Sequence, residues 1–274
     1  MKSRLYAGCS GAVSTPALIG LLAFLFLGAA GRLPAAPPPG YRLAWADEFD
    51  GSVLDTNRWN YYNPGKRHDA VNVPAAVSVS NGCLTITTFT RDRQHFTGMI
   101  DTRGKFERTG GYWEARIRFD DSPGMWSAFW LQSPTIGKPV GDPARAGPEI
   151  DVCEHRATDK SGENISDRVQ QTLHWNGYGK FHRSDKSLTT DLNLGSGFHV
   201  YGVEWTGAAY RFFVDDRLTW ATPSAISRTD EFIILSSEIE NNGWAGNIPG
   251  AGYGDAAAGK TRMTVDYVRY YSPP

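Results

Sequence analysis

The chain has 274 residues, 41% hydrophobic and 12% aromatic, enough to bury a substantial core within one large domain. Lys plus Arg total 28 against 29 for Asp plus Glu, so a net charge of -1 gives no field to gather nucleic acid or an anionic membrane. A neutral partner fits that balance, and the nine Trp offer flat apolar faces of the kind on which sugar rings stack.

Lys2 and Arg4 precede an apolar run from about Ala17 to Leu27, and Gly28, Ala29 and Ala30 supply small residues for cleavage, so residues 1–30 read as a signal peptide. The run falls short of the roughly 20 apolar residues a membrane span needs. Cys9 lies before the run, where a lipidation box does not belong. The expected product is exported and free of the membrane after cleavage. Cys83 and Cys153 then remain, allowing at most one disulfide. Residues 31–40, ending in Pro37-Pro38-Pro39-Gly40, form a Pro-rich linker, and the folded domain is expected over 41–274.

From Tyr41 onward period two recurs, with no repeat or heptad. VSVS and CLTITT flank Asn81-Gly82, a hairpin dipeptide. In GYWEARIRF, Trp113, Ala115, Ile117 and Phe119 share one face while Glu114, Arg116 and Arg118 share the solvent face. Further strands are predicted near 125–131, 150–154, 169–175, 198–205, 232–239 and 263–271, and YRFFV turns at Asp215-Asp216 into RLTW. This pattern predicts an all-β fold: a two-sheet antiparallel β-sandwich of the jelly-roll type, one sheet curving into a concave cleft. A lipocalin-like barrel would need a more regular meander and a shorter chain.

Glu149-Ile150-Asp151-Val152-Cys153-Glu154 places three acids on one predicted strand. Glu149 and Asp151 share a face, whereas Glu154, five residues from Glu149, would face away in a regular strand. A β-bulge at Val152 or Cys153 adds one residue and returns Glu154 to the same face. Two carboxyls about 5 to 5.5 Å apart, one ionised and one protonated, are what a retaining glycosidase requires, with Asp151 between them helping to separate their protonation states. A solvated acidic edge or a calcium site is the competing reading of the bare spacing.

The six-residue segment resembles the bulged signature of glycoside hydrolase family 16, the laminarinase, lichenase, agarase and carrageenase group. ADEFDG from Ala46, NRW at 57–59, SNGCLTI at 80–86, GGYWEARIRF at 110–119, GMWSAFWLQ at 124–132, YGVEWTGAAYRFFVDD at 201–216 and VDYVRYY at 265–271 agree in order. The resemblance implies a concanavalin A-like jelly roll and an endo-acting retaining hydrolase of a β-glucan or β-galactan. Glu149 matches the nucleophile, Asp151 the supporting carboxylate and Glu154 the acid/base. A transglycosylase on the same scaffold and a noncatalytic lectin-like module are the alternatives.

Around these acids, Trp126 and Trp130 face the same way and are candidates for a stacking floor, with Trp113 and Trp244 as further substrate-binding candidates. His174 and Arg103 are candidates to hydrogen-bond a substrate hydroxyl or the nucleophile region. The segment HWNGYGKFHRS departs from laminarinase and lichenase sequences. No cofactor is expected for catalysis. By the resemblance, Glu48, a carbonyl near Gly82 and Asp266 would hold a structural Ca²⁺ on the convex face. The expected partner is a polysaccharide, bound by a monomer.

Overall fold

A computed structural model describes residues 37–274 except Asp191, Asn193 and Ala258; the signal peptide expected at 1–30 and residues 31–36 of the expected linker lie outside the described residues. The segments with period two form two large antiparallel sheets. One runs Arg217–Thr222, Tyr210–Val214, His199–Trp205, Gly111–Asp120, Arg262–Ser272, Cys83–Thr87, Val77–Ser80, with Arg42–Asp47 also paired to Arg262–Ser272. The other runs Arg183–Thr189, Val169–Trp175, Glu149–Arg156, Met125–Gln132, Glu231–Ile239, Met99–Asp101, Asn60–Tyr61. Four short strands between 65 and 97 make a third, small sheet. This is the predicted two-sheet jelly roll.

The core lies between the two large sheets. Trp113, Ala115, Ile117, Tyr201, Val203 and Phe212 of the first sheet share one buried cluster with Phe129, Leu131, Ile150, Val152, Cys153, Leu173 and Leu235 of the second. Asn81 and Gly82 both take positive φ (53° and 70°), the conformation that lets a two-residue turn follow the twist of its strands. Asp215 and Asp216 do the same at the other expected hairpin (48° and 68°). Cys83 and Cys153 are both free thiols, so the sandwich stands on its packing without a cross-link.

Two expectations change here. Glu114, read as facing solvent, is fully buried, with its Oε1 accepting from the Tyr271 hydroxyl at 3.0 Å. Burial pushes its carboxyl up to about 7. The alternation is correct, but tyrosines from the neighbouring strand cover that stretch of the outer face. Trp113, a candidate for sugar binding, is 0% exposed in the inter-sheet core, and its Nε1 donates to the Gly110 carbonyl at 2.8 Å. It cannot reach a ligand. Trp113→Ala is therefore expected to cost about 3–5 kcal/mol of stability in urea unfolding, the usual price of emptying a large aromatic site. A loss below about 1 kcal/mol would place the ring outside the core.

Candidate active site

The second sheet carries a cleft of about 550 Å³, lined among others by Glu149, Asp151 and Glu154. The strand Glu149–Arg156 explains why all three reach it. Against Met125–Gln132, Asp151 pairs with Trp130 and Cys153 with Phe129, so Val152 is an extra residue with no partner of its own. Against Val169–Trp175, Asp151 pairs with Thr172 and Glu154 with Gln170, which again sets three steps on one strand against two on the other. Val152 and Cys153 are consecutive, and both side chains are fully buried in the inter-sheet core. That is the predicted bulge, and it turns Glu154 back to the cleft.

Partners differ among the acids. The Oε2 of Glu149 accepts from the Tyr178 hydroxyl and from Gln132 Nε2 at 3.0 Å. Gln132 Nε2 also donates to Tyr178 at 2.6 Å, closing a triangle. Glu154 Oε2 accepts from Thr172 Oγ1 at 3.1 Å and, at 3.5 Å, from Gln170 Nε2. Asp151 is 4% exposed and its Oδ2 has no hydrogen-bond partner among the described residues. Burial pushes Glu149 up to about 7, with the Tyr178 and Gln132 hydrogen bonds pulling the other way. Burial likewise carries Glu154 to about 7, opposed by Thr172 and reinforced by Glu149. Burial first, then Glu154 and Glu149, raises Asp151 well above the usual carboxylate range. The three carboxyls thus retain protons where isolated acids have lost them.

A fourth acid behaves oppositely. Glu238 lines the cleft and is forked by Arg67, Nε at 2.6 Å and Nη2 at 3.0 Å, with His68 Nε2 at 3.1 Å. Burial would raise its pKa, but the hydrogen bonds from His68 and Arg67 outweigh it and hold the carboxyl below its ordinary value. Glu238 therefore stays charged beside three acids that resist charging.

The structure brings Trp126, Trp130, Trp244 and His174 to the cleft as well. The rings of Trp126 and Trp244 meet edge to face at 5.6 Å. The guanidinium of Arg156 lies 3.8 Å from the Trp244 ring centroid, occupying one side of it. Trp130 is 6% exposed, with Nε1 donating to Ser236 Oγ at 3.1 Å, so it serves as floor more than as an open face. His174 Nδ1 meets His182 Nε2 at 2.8 Å, and His174 Nε2 lies 3.5 Å from Asp151 Oδ2. Arg103 is not among the lining residues: it is exposed, and its guanidinium sits 5.6 Å over Phe232. The chain has left the sheet after Met99–Asp101 and carries that side chain outward.

Sequence reasoning missed Gln132, Gln170, Tyr178, Glu238, Arg67 and His68. Alternation from Trp126 reaches Gln132, and alternation from His174 reaches Gln170, so a signal existed for these two. Tyr178 follows the strand Val169–Trp175, and His68 falls between two short strands, where no period points at a cleft.

The expected calcium ligands are engaged elsewhere. Glu48 is forked by Arg269, both contacts at 2.8 Å, and Asp266 accepts from Arg116 at 2.7 Å.

The chain belongs to glycoside hydrolase family 16: the family model described as the GH16 domain of beta-porphyranases A–D matches residues 43–273. It is 31% identical over 240 residues to an endo-1,3-1,4-beta-glycanase of Rhizobium meliloti (strain 1021), covering 83% of this chain and 46% of that protein. It is 28% identical over 258 residues to a beta-glucanase of Rhodothermus marinus, covering 85% and 86%. The chain thus spans about half the length of the first of these relatives. A laminarinase structure from Flavobacterium sp. UMI-01 superposes with a TM-score of 0.66 at 25% identity, covering 84% of this chain and 100% of that one.

The raised carboxyls predict a pH dependence of stability. A carboxyl whose folded pKa exceeds its unfolded value binds more protons when folded, so stability is greatest below the unfolded pKa, near 4.3 for Glu, and falls as pH rises toward about 7. Glu154→Gln removes this penalty while keeping an acceptor for Thr172. The variant is expected to exceed the parent in stability by on the order of 1–3 kcal/mol at pH 8 and by little at pH 4. Thermal unfolding at the two pH values checks this, and an equal difference at both would contradict it.

Proposed function

We propose that the chain is an exported, monomeric endo-hydrolase that cleaves a β-linked polysaccharide by double displacement with retention of configuration. The observation that carries this reading is the bulge that puts Glu149, Asp151 and Glu154 on the wall of one cleft that also holds Trp126 and Trp244. A lectin-like module would need the aromatic faces but not three carboxyls whose pKa values are raised by burial and, secondarily, by neighbouring carboxyls.

The hydrogen-bond partners support a division of roles. Glu149 receives two hydrogen-bond donors on one oxygen, which favours its anion and fits it to attack the anomeric carbon. Glu154, with a hydroxyl donor and a long amide contact, keeps its proton more readily and delivers it to the leaving oxygen, later taking one from water. Asp151, buried beside them and disfavoured as an anion, helps keep the protonation states of the two glutamates apart. Trp126 and the open side of Trp244 would stack sugar rings on either side of the reacting unit. For substrate, the porphyranase family match supports a β-galactan ahead of a β-glucan. Reducing-end release from porphyran, agarose, carrageenan, laminarin and lichenan separates them, and release only from the glucans would reverse the choice.

A structural calcium ion at Glu48, the Gly82 carbonyl and Asp266 remains part of the proposal. It would have to displace the part-buried fork of Arg269 on Glu48 and the Arg116 contact on Asp266. A melting temperature indifferent to both calcium and chelator removes the ion.

Tyr178 supplies a sharper test. Its hydroxyl is one of two donors that lower the nucleophile's pKa, so Tyr178→Phe should move the acidic limb of the kcat/KM profile to higher pH. The expected loss of kcat/KM at pH 5 is about tenfold, with a smaller loss at pH 8. A uniform loss across pH would show that Tyr178 only shapes the cleft.

A further inference from the structure

Glu149, Asp151 and His174 each bring one potential ligand atom to within 4.8 Å of the others, and among the described residues no other three His, Cys, Asp or Glu side chains do so. Acid clusters are common, but two independent features mark this one. Asp151, 4% exposed, holds Oδ2 in the cleft wall with no hydrogen-bond partner among the described residues, an unsatisfied state that an entering ligand would relieve. The imidazole facing it is held from behind: His174 Nδ1 meets His182 Nε2 at 2.8 Å, and the two rings stack at 5.0 Å. In the tautomer that donates from His174 Nδ1 to His182, Nε2 presents a lone pair toward the Asp151 oxygen 3.5 Å away, and that is the tautomer a bound metal selects. No hydrogen bond joins these two atoms among the described residues, and their separation leaves room for a cation that would bind both.

We propose that Glu149, Asp151 and His174 form a Zn²⁺ site in the cleft, with His182 as the positioning residue that fixes the His174 tautomer. One imidazole with two carboxylates suits zinc and does not suit calcium, which takes six to eight oxygens. Atoms each about 2.0–2.2 Å from a zinc ion lie about 3.4 Å apart in a tetrahedron, so the three side chains close by about 1 Å around the metal. The fourth position opens onto the cleft. Both donors to Glu149 fall on Oε2, leaving its other oxygen without a hydrogen bond among the described residues and available to the metal. The site itself is argued from geometry; only its consequence rests on the proposed function. A metal on Glu149 ties up the nucleophile, so zinc acts as a reversible inhibitor competing with the glycan.

Calorimetric titration of the full chain with ZnCl₂ at pH 7.5, in the absence of substrate, tests the site separately from hydrolysis. One zinc per chain is expected, weakened at least tenfold in His174→Ala and in Glu149→Gln, which preserves the side chain's shape should the histidine variant fail to fold. His182→Ala should weaken binding about tenfold, the typical effect of losing the partner that orients a ligating histidine. Co²⁺ should give a tetrahedral visible absorption band in the parent that is absent from Glu149→Gln. No binding, or zinc affinity equal in the parent and all three variants, overturns the proposal. If zinc binds as expected but no polysaccharide is cleaved, the site stands and the hydrolase reading falls.

Discussion

Removing one residue's worth of pairing at Val152 is the constraint on which the cleft depends. A strand alternates its side chains strictly, so a chain that must place Ile150 in the core and Glu149 and Asp151 in the cleft cannot also deliver Glu154, five residues on from Glu149, without breaking the alternation. The break is stabilised from the core side. Val152 and Cys153 both point inward and are both fully buried, and each apolar side chain so placed contributes about 1–3 kcal/mol of burial. The neighbouring strands are equally bound to the arrangement, because Phe129 faces Cys153 while Trp130 faces Asp151. The acids reach the cleft because the hydrophobic core fixes the bulge beneath them.

That placement has an electrostatic consequence. Four carboxyls line one cleft, and the cations near them are not shared evenly. Arg67 and His68 are committed to Glu238, and Arg156 leans on Trp244 while donating to its carbonyl at 2.7 Å. Among the described residues Glu149, Asp151 and Glu154 have no cation in hydrogen-bond contact, so burial and mutual repulsion dominate and hold protons in the site. An Arg forked onto Glu149 or Glu154 would relieve the strain and remove the reason for either to carry a proton near neutrality. The site is therefore held at some expense to stability, as sites tuned for proton transfer commonly are.

Most of the fold was legible in the sequence because long strands with one buried face write their period directly. The bulge was legible too, since only an extra residue reconciles the spacing of the acids. What escaped had physical reasons. RSDKSLT, the strand Arg183–Thr189, lies at a sheet edge with mostly exposed side chains, so no apolar alternation betrays it. Met99–Asp101 is three residues long and buried throughout, too short for a period. Trp113 shares a face with Ala115 and Ile117 by the same alternation that locates its strand, and that face is the core, not the cleft. The Glu48–Arg269 fork joins residues 221 apart in sequence, and the cover over Glu114 comes from Tyr271, 157 residues away. Local patterns carry no information about such partners. The same holds for Tyr178 and Arg67, whose positions depend on how loops and short strands fold over the cleft.

The division of labour between Glu149 and Glu154 is the central chemical claim, and it is tested most directly by trapping the covalent intermediate. A 2-deoxy-2-fluoro oligosaccharide with a good leaving group, matched to whichever polysaccharide the chain cleaves, slows breakdown of the glycosyl-enzyme enough for peptide mapping by mass spectrometry. The account predicts one glycosyl ester per chain, carried by Glu149 in the peptide that contains the bulge. An ester on Glu154 would reverse the roles, and turnover of the natural polymer with inverted product and no ester on either residue would contradict the account.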